Sequence, residues 1–469
     1  MRHLLAITPL MLFAGCFNPS YSEDISFTCK IQQEKNCPDD YVCMPEGNPD
    51  LGRCHRTCDR DKPNCAAGNS CIQLPNYTPV THVCVRGAAG DGGPTPGCTG
   101  HMKIGPLLPD FNDQNTLFDV AVDSQGRAHV VYIDDQGRLV EDVRNANGTS
   151  HAHHATTNNT SAQLVAAAID RNDRLHIVYA SPNAGAVHYC TRLVTDSTGC
   201  PEPDSAAIIK VGGLGDPDAI HGLDLSATAG PSGPVAVLVA SVLLVAGQEA
   251  LVYVQLKDPA IPEHICWIYS LSQELNHPRI GAAQGDAVLI SAFENNTVTG
   301  DKHRLWRIDG NTQKTNNVCL GMPDAVLNAP LFGGVAIGSQ DTPNLHLARP
   351  AAGPPNAVQH AVWGNPPVTD PVFETTGDLA AQSVDLVVAG VSPVVSAFTG
   401  DPNVFAAPHV WVAGTSGWRL LDAPTPLTGG STRRGEFTRM AARPGEPIHV
   451  VHDGTKGTIR TLYYMQCNP

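Results

Sequence analysis

The chain has 469 residues, a formal net charge of −15 and only 16% charged residues. Nucleic-acid binding needs a concentrated basic surface, and the sequence has none, so nucleic acid is excluded as a partner. The 44 glycines and 38 prolines lie among short runs of valine, isoleucine and leucine, a pattern that favours strands over long helices. The sequence therefore predicts an all-β protein. The longest later apolar run, Val235 to Val245, is interrupted by Ser241 and does not predict a membrane span.

The first residues combine Arg2 and His3, a short apolar core and the sequence Leu12-Phe13-Ala14-Gly15-Cys16. This order resembles a bacterial lipobox, in which the cysteine is lipidated and becomes the new N-terminus. The resemblance implies a signal peptide over 1–15, lipidation at Cys16, a tether over 16–28 and a membrane contact through the acyl chains. Phe17 stands where an inner-membrane retention aspartate would be, so the outer membrane is expected, facing either the periplasm or the exterior. The alternative is an ordinary secretory signal.

Residues 29–85 contain two cysteine sets of nearly repeated spacing. We expect two tandem modules of two disulfides each, with connectivity left open, because domains this small cannot fold on an apolar core alone. The region resembles cysteine-rich modules behind the lipobox in surface lipoproteins of myxobacteria-like bacteria, and it is either a stiff stalk or a partner-binding segment. The candidates are Cys29, Cys37, Cys43 and Cys54 in the first set and Cys58, Cys65, Cys71 and Cys84 in the second.

A Gly/Pro linker over 86–97 precedes a repeated region over 98–469. Residues Phe118 to Tyr132 and Leu164 to Tyr179 share a strand that ends at an Asp, a turn and a His-Φ-Val-Tyr strand. With weaker copies, this makes seven units of about fifty residues with four short strands each, which predicts a seven-bladed β-propeller. The weaker copies begin near Leu223, Pro278, Phe332, Ser383 and Phe437.

Individual strands are expected within these units. The sequence of the seventh unit contains three strands, and its outer strand is expected from His101 to Leu108. This arrangement places Cys98 beside Cys467 as a disulfide pair.

Cys190 and Cys200 are expected to form a local bridge. Cys266 and Cys319 remain, and their expected places on outer strands of successive units make their pairing difficult. The expected strands of the third, sixth and seventh units run over 223–229, 235–242, 249–256, 264–271, 383–390, 393–399, 407–414, 418–424, 437–443, 448–453 and 458–465.

The Asp-x-x-Gly turn and the His-Φ-Val-Tyr strand resemble repeats of NHL-like and sialidase-like propellers. In such repeats the Asp and Gly form turns. The equivalent histidines His129, His176, His346 and His449 are read as structural, because a catalytic group is needed once, whereas these recur. The arginine and Asp-box motifs of sialidases are missing, so their chemistry is not carried over.

No other motif nominates a catalytic residue, a resident metal or a cofactor, so none is expected. The alternatives considered are His151 to His154 as metal ligands on an exposed loop, the pairs Asp134/Asp135 and Asp216/Asp218 as calcium ligands, Gly212 to Gly215 as a phosphate loop, and Trp363, Trp411 and Trp418 as sugar platforms.

These observations predict a monomeric, lipid-anchored propeller outside the cytoplasm that binds a protein or a glycan. The alternative is a hydrolase or lyase acting on extracellular glycans, and a third possibility is a surface structural protein. Carboxylates clustered beside a His or Tyr in the central channel would favour the enzyme. An apolar channel with a broad aromatic face would favour binding.

Overall fold

The structure is a computed structural model of the whole chain. Besides the strands named below, it describes residues 57–58, 107–108, 117, 123–127, 134–138, 145, 162–163, 170–173, 194–196, 408, 437, 442–443 and 446–447. The chain divides into two compact units, Met1–Thr95 and Pro96–Pro469. In the described part, no helix has the length and apolar character that a membrane crossing requires.

The first unit contains short antiparallel strands in two described sheets. In one sheet the central strand β3 pairs with β1 and β2, and in the other β4 pairs with β5. The strand register places Cys43 opposite Cys54 and Cys71 opposite Cys84, so the third and fourth cysteines of both predicted modules occupy facing register positions on neighbouring strands. Cys58 is disulfide-bonded. Cys37 and Cys65, like Cys16, lie outside the described residues. The strands are Thr28–Lys30 (β1), Tyr41–Asn48 (β2), Leu51–Arg56 (β3), Asn69–Gln73 (β4) and His82–Arg86 (β5).

The second unit is built from consecutive antiparallel sheets. It opens with Gly97–Cys98 (β6) and Met102–Pro106 (β7), which belong to the last sheet. The first sheet contains Phe118–Val122 (β8), Ala128–Ile133 (β9), Leu139–Arg144 (β10) and Ser150–His154 (β11). The second contains Leu164–Ile169 (β12), Arg174–Ser181 (β13), Ala186–Leu193 (β14) and Ile209–Lys210 (β15).

The third and fourth sheets interleave along the chain. The third begins with Ile220–Ala227 (β16), Ala236–Leu243 (β17), Glu249–Asp258 (β18) and Ile261–Tyr269 (β19). The fourth begins with Glu274–Ala282 (β20), Val288–Asn295 (β21) and Lys302–Ile308 (β22). The chain then returns to the third sheet with Lys314–Thr315 (β23) and Val318–Cys319 (β24) before Ala325–Asn328 (β25) completes the fourth.

Three further sheets follow in order. The fifth contains Ala336–Gly338 (β26), Leu345–Pro350 (β27), Asn356–Trp363 (β28) and Val368–Glu374 (β29). The sixth contains Val384–Ala389 (β30), Ser392–Ala397 (β31), His409–Gly414 (β32) and Gly417–Leu421 (β33). The last contains Thr432–Arg433 (β34), Thr438–Ala441 (β35), Ile448–Lys456 (β36) and Ile459–Asn468 (β37). All strands predicted for the third, sixth and seventh units are present, with ends within three residues of the expected ones.

The first long strands of these sheets contact one another in succession. The contacts run from β8 to β12, β16, β20, β26, β30 and β35, and β35 in turn contacts β8. Five clusters of buried apolar side chains hold this part of the chain together, and each joins residues of neighbouring sheets. All residues of β8 and β9 are buried, so both faces of these strands are covered by neighbours. That double burial explains their nearly continuous apolar sequence.

The recurrent aspartates build the turns between first and second strands, as the repeat pattern predicts. Asp123 Oδ1 accepts hydrogen bonds from the backbone amides of Gln125 and Arg127, both at 2.9 Å. Gly126 has a φ of 71°, in the left-handed region that glycine adopts without a steric penalty. In the next sheet Asp170 makes the same turn. There Asp173, with a φ of 54°, has the left-handed conformation that Gly126 has in the first turn.

The last sheet joins the start of the second unit to its end. Strand β7 pairs with β37 and supplies the outer strand that the sequence leaves missing, and β6 also pairs with β37. Cys98 and Cys467 stand opposite each other and form a disulfide bond, the pair that the sequence analysis expected. Cys190 is also disulfide-bonded, and Cys200, its expected partner, lies outside the described residues.

Two local expectations are wrong. Cys319 does not lie on the outer strand of a successive sheet, because β24 pairs in parallel with β19, the strand that carries Cys266. The polar sequence His151 to His154 is not a loop but part of strand β11, which pairs with β10. In both cases the backbone hydrogen bonds of an open strand edge recruit a short segment that has little apolar pattern of its own.

Candidate functional site

In the second unit, the first strands of the seven described sheets surround a cavity of about 480 Å³. We call this space the central cavity. It is open to solvent, and the side chains that line it come from the middle and the end of each first strand. Its lining includes Asp119–Val122, Ala167–Ile169, Asp224–Ala227, Arg279–Gly281, Ile337, Asp385–Val388 and Arg439–Ala441.

The first strands contribute five ionisable residues to this lining, and we call them the charged ring: Asp119, Asp224, Arg279, Asp385 and Arg439. Each lies on a different first strand, flanked on at least one side by buried apolar residues. Side chains of a strand point alternately to its two sides, so a charged residue between apolar ones is aimed away from the packed neighbours. In these strands, the side that does not pack against neighbouring sheets faces the central cavity.

The three aspartates fasten neighbouring sheets together. Asp119 Oδ2 accepts the amide of Ala167 at 2.8 Å, and its Oδ1 accepts the amide of Val120 at 2.8 Å. In the same way, the carboxyl groups of two other aspartates accept an amide of the following sheet. The bonds run from Ile280 N to Asp224 Oδ2 at 2.9 Å and from Met440 N to Asp385 Oδ2 at 2.6 Å.

The two arginines are only loosely paired. Arg279 Nη1 lies 3.6 Å from Asp385 Oδ1, and Arg439 Nε lies 3.9 Å from Asp119 Oδ1, both longer than a hydrogen bond. The side chain of Arg439 is only 6% exposed, and its Nε and Nη1 are buried without a hydrogen-bond partner. The carboxyl oxygens that could have served these donors are already engaged by backbone amides.

Burial and mutual repulsion raise the pKa values of the ring aspartates. Desolvation raises the pKa of Asp119 to about 7, and the neighbouring Asp224 charge adds to this effect. Burial likewise raises the pKa of Asp385 to about 7 and that of Asp224 to about 6, against the opposing field of Arg279. These carboxyl groups therefore exchange protons near neutral pH, which an ordinary aspartate does not do.

Turns of the second and last sheets border the cavity. Arg171 and Arg443 belong to its lining, and Arg443 Nη2 lies 3.6 Å from Asp173 Oδ1. Asp173 also accepts hydrogen bonds from the backbone amide and the hydroxyl of Ser124 in the first sheet. These contacts tie turns of the first, second and last sheets to one another and hold Arg443 at the cavity.

The recurrent histidines are structural in this part of the chain. His129 is fully buried between Glu141, at 2.7 Å from Nδ1, and Asp123, at 3.2 Å from Nε2. His176 and His449 are also fully buried, and each places Nδ1 2.6 Å from a tyrosine hydroxyl of the third strand, Tyr189 or Tyr464. His346 Nδ1 lies 3.0 Å from His360 Nε2. None of these four histidines lines the central cavity.

The remaining candidates that the structure describes are engaged in turns or in packing. Asp134 uses its carboxylate for a turn and for an ion pair with Arg138 at 2.6 Å. Trp411 is buried in the cluster between the fifth and sixth sheets, and Trp418 packs against it. No group of three or more potential metal ligands occurs among the residues that the structure describes. Asp216, Asp218, Gly212 to Gly215 and the side chain of Trp363 lie outside the described residues.

The sequence analysis missed the charged ring, although a signal for it is present. In four first strands one charged residue follows the same pattern, with a non-charged residue before it and an apolar residue after it. These are Phe118-Asp119-Val120, Leu223-Asp224-Leu225, Val384-Asp385-Leu386 and Thr438-Arg439-Met440. Neither of the two expected channel types is found, because the described lining combines carboxyl groups with arginines and contains no histidine or aromatic residue.

No protein-family model and no curated protein matches the chain. Among solved structures it is similar to a polysaccharide lyase, with 12% identity, a TM-score of 0.46, and coverage of 79% of this chain and 99% of the other. It is also similar to the six-bladed fungal lectin of Aleuria aurantia, with 14% identity, a TM-score of 0.40, and coverage of 67% and 98%. A third similarity, to the sialidase of Trypanosoma rangeli, has 9% identity, a TM-score of 0.40, and coverage of 79% and 60%. Because these TM-scores are below 0.5, nothing about the ligand or chemistry of this chain follows from them.

Proposed function

We propose that the unit Pro96–Pro469 is a seven-bladed β-propeller that binds a glycan in its central cavity. Two structural facts support the architecture. The first strands of the seven sheets of the second unit follow one another along the chain, and the contacts between these strands return from β35 to β8. An all-β unit with such consecutive antiparallel sheets is typical of a propeller.

The central cavity is the observation that carries the proposed ligand class. Its volume of about 480 Å³ suits a small molecule or one to two sugar units rather than a folded protein. The charged ring supplies carboxyl acceptors and guanidinium donors, the groups that hydrogen-bond sugar hydroxyls. A small apolar ligand would leave these buried polar groups unpaired, which is costly.

We further propose that the protein is a monomer that Cys16 attaches to the outer membrane through lipid. The lipid anchor is supported by the sequence of residues 1–16, and the outer-membrane destination by Phe17. Replacing Cys16→Ser removes the acceptor thiol, and we expect the protein to move from the membrane fraction to the soluble fraction. Cell fractionation with immunodetection checks this, with Cys190→Ser as a control that should stay membrane-bound. Retention of the Cys16→Ser chain in the membrane fraction would contradict lipidation.

The binding proposal is tested on a glycan and polysaccharide array with the full chain in detergent. We expect binding to at least one saccharide. Asp224→Asn and Arg279→Gln should weaken that binding by tenfold or more, because each removes a polar group of the cavity. The matched controls Asp135→Asn and Arg419→Gln change exposed residues outside the cavity lining in the same way and should bind as the unchanged chain does. Equal loss in the controls, or none in the cavity variants, would rule out the cavity as the site.

A second candidate is a glycan hydrolase or lyase acting in the same cavity. The observation in its favour is that the pKa values of Asp119 and Asp385 are raised to about 7, since a general acid or base works best with a pKa near the working pH. Each saccharide bound on the array is therefore incubated with the protein, and the products are analysed by mass spectrometry. If the unchanged protein produces shortened saccharides and Asp119→Asn does not, the function is enzymatic rather than binding alone.

A further inference from the structure

The guanidinium group of Arg439 is a buried cation without a hydrogen-bonding anion. It belongs to β35, and its side chain is 6% exposed at the wall of the central cavity. Nε and Nη1 donate no hydrogen bond, and the nearest carboxyl oxygen of Asp119 is 3.9 Å away. A buried charge in this state is costly unless a further partner satisfies it.

The carboxyl groups of the ring do not provide that partner, because the backbone already holds them in place. Both oxygens of Asp119 accept amides, from Val120 and from Ala167, each at 2.8 Å. Turning this carboxyl group toward Arg439 would break the bond that links the first and second sheets. The fold therefore leaves the Nε and Nη1 donors of Arg439 without a carboxylate acceptor from Asp119.

We propose that Arg439 binds the carboxylate of an acidic saccharide, a uronic acid residue, in the central cavity. This inference rests on the proposed glycan-binding function and names its ligand class. The guanidinium group has several donors in one plane and forms charge-assisted hydrogen bonds with carboxylates, which are stronger than those to neutral sugar hydroxyls.

The charges that face the cavity come from five of the seven first strands. Asp119, Asp224 and Asp385 are the acids of the ring, Arg279 and Arg439 are its bases, and β12 and β26 contribute apolar residues at this level. Two arginines with three neutral aspartic acids give a net charge of 2 − 0 = +2. With all three acids ionised the net charge is 2 − 3 = −1. Arg171 and Arg443 at the adjoining turns add positive charge, whereas the neighbouring Asp170 is directed to its own turn and to His176.

This balance predicts that binding of the acidic sugar takes up protons. The pKa values of Asp119 and Asp385 are raised to about 7 and that of Asp224 to about 6, so the ring changes from net positive to net negative across this range. An anion prefers the protonated ring. Affinity for a uronate should therefore be highest below pH 6 and fall as the pH rises to 8, whereas affinity for a neutral sugar should change little.

The test uses three matched sugar pairs that differ at C6: glucuronate and glucose, galacturonate and galactose, and mannuronate and mannose. Binding to the full chain in detergent is measured by calorimetry and by ligand-observed NMR at pH 5.5 and pH 8. We expect at least one uronate to bind about tenfold to a hundredfold more tightly than its neutral partner at pH 5.5. The preference should fall about tenfold at pH 8.

Variants assign the effect to Arg439. Arg439→Gln removes the charge and should abolish the uronate preference, because it lowers the affinity for the uronate more than the affinity for its neutral partner, whereas Arg439→Lys should retain part of the preference. Arg419→Gln removes an exposed arginine and should change nothing. Near-UV circular dichroism verifies that the variants are folded, and the pH arm needs no variant at all.

The outcomes separate this inference from the function on which it rests. Equal binding of both members of each pair at pH 5.5, or a uronate preference that survives Arg439→Gln, overturns the role of Arg439 but leaves glycan binding in place. Absence of binding to these sugars and to the whole array overturns both. Preference for sulfated saccharides over uronates on the array would show that the anion is a sulfate and overturn the uronic acid assignment.

Discussion

Removing the disulfide between Cys98 and Cys467 should lower the free energy of unfolding by about 6 kcal/mol in the chain-entropy treatment of cross-links. The two cysteines are 369 residues apart, so the bond closes nearly the whole second unit into one loop. Without it, the unfolded chain gains the conformations that the cross-link forbids. We expect the Cys98→Ser/Cys467→Ser chain to unfold at a clearly lower urea concentration.

The matched control for this experiment is Cys98→Ala/Cys467→Ala. Cys467 is fully buried, so a serine there adds a hydroxyl that needs a partner, whereas an alanine does not. If the lost cross-link dominates, both double variants lose nearly the same free energy of unfolding. A loss below about 1 kcal/mol in both would show that strand pairing between β37 and β7 holds the sheet together without the covalent bond.

The second large effect is the share of the pH dependence of stability that Asp119 contributes, which Asp119→Asn should remove. The pKa of Asp119 is raised from 3.8 to about 7 in the folded protein, so between these values the folded state holds a proton that the unfolded state has lost. The stabilising contribution is complete below pH 4 and is lost as the pH rises through 7. This difference corresponds to about 4 kcal/mol for a single group.

Asparagine keeps one acceptor oxygen and cannot ionise. Relative to the unchanged chain, Asp119→Asn should therefore gain about 4 kcal/mol of stability between pH 4 and pH 8, on top of a constant cost of about 1 kcal/mol for one weakened amide bond. Urea unfolding at several pH values measures this difference. Asp135→Asn, at an exposed position, should stay parallel to the unchanged chain. Parallel curves for Asp119→Asn would mean that Asp119 is ionised throughout the range.

Groups with lowered pKa values act in the opposite direction and shape the acid side of the stability profile. Burial lowers the pKa values of His303 and His449 to about 4, so their neutral forms stabilise the folded protein above pH 6.5. This contribution is lost as the pH falls toward 4. The histidines and the aspartate therefore act in opposite directions over nearly the same pH range, from about 4 to 7, and the comparison with Asp119→Asn isolates the aspartate from the histidines.

The strands of the second unit could be predicted from the sequence because their signals are local. Alternation of apolar and polar residues, an Asp-x-x-Gly turn and the return of a His-Φ-Val-Tyr strand all lie within fifteen residues, as in Phe118 to Tyr132. The pairing of β7 with β37 could also be predicted, since the last sheet otherwise lacks an outer strand. Cys98 and Cys467 then had to meet.

The charged ring could not be located in the same way. Its members lie on five first strands, and neighbouring members are separated by more than forty residues, so no local motif contains two of them. They meet only because successive sheets contact one another through their first strands. The short strands β23 and β24 were missed for a related reason, since they form by pairing with an existing edge rather than through their own pattern.

The position of the Cys98–Cys467 bond also determines how the second unit carries a mechanical load. A pull on the segment that precedes Gly97 reaches the unit first at Cys98, which is covalently joined to the last strand. Force applied there passes into β37 through a sulfur–sulfur bond, and the hydrogen bonds between β7 and β37 are shielded from being peeled apart one by one. A unit that is pulled from its N-terminal side can thus resist tension that would separate an edge strand without such a cross-link.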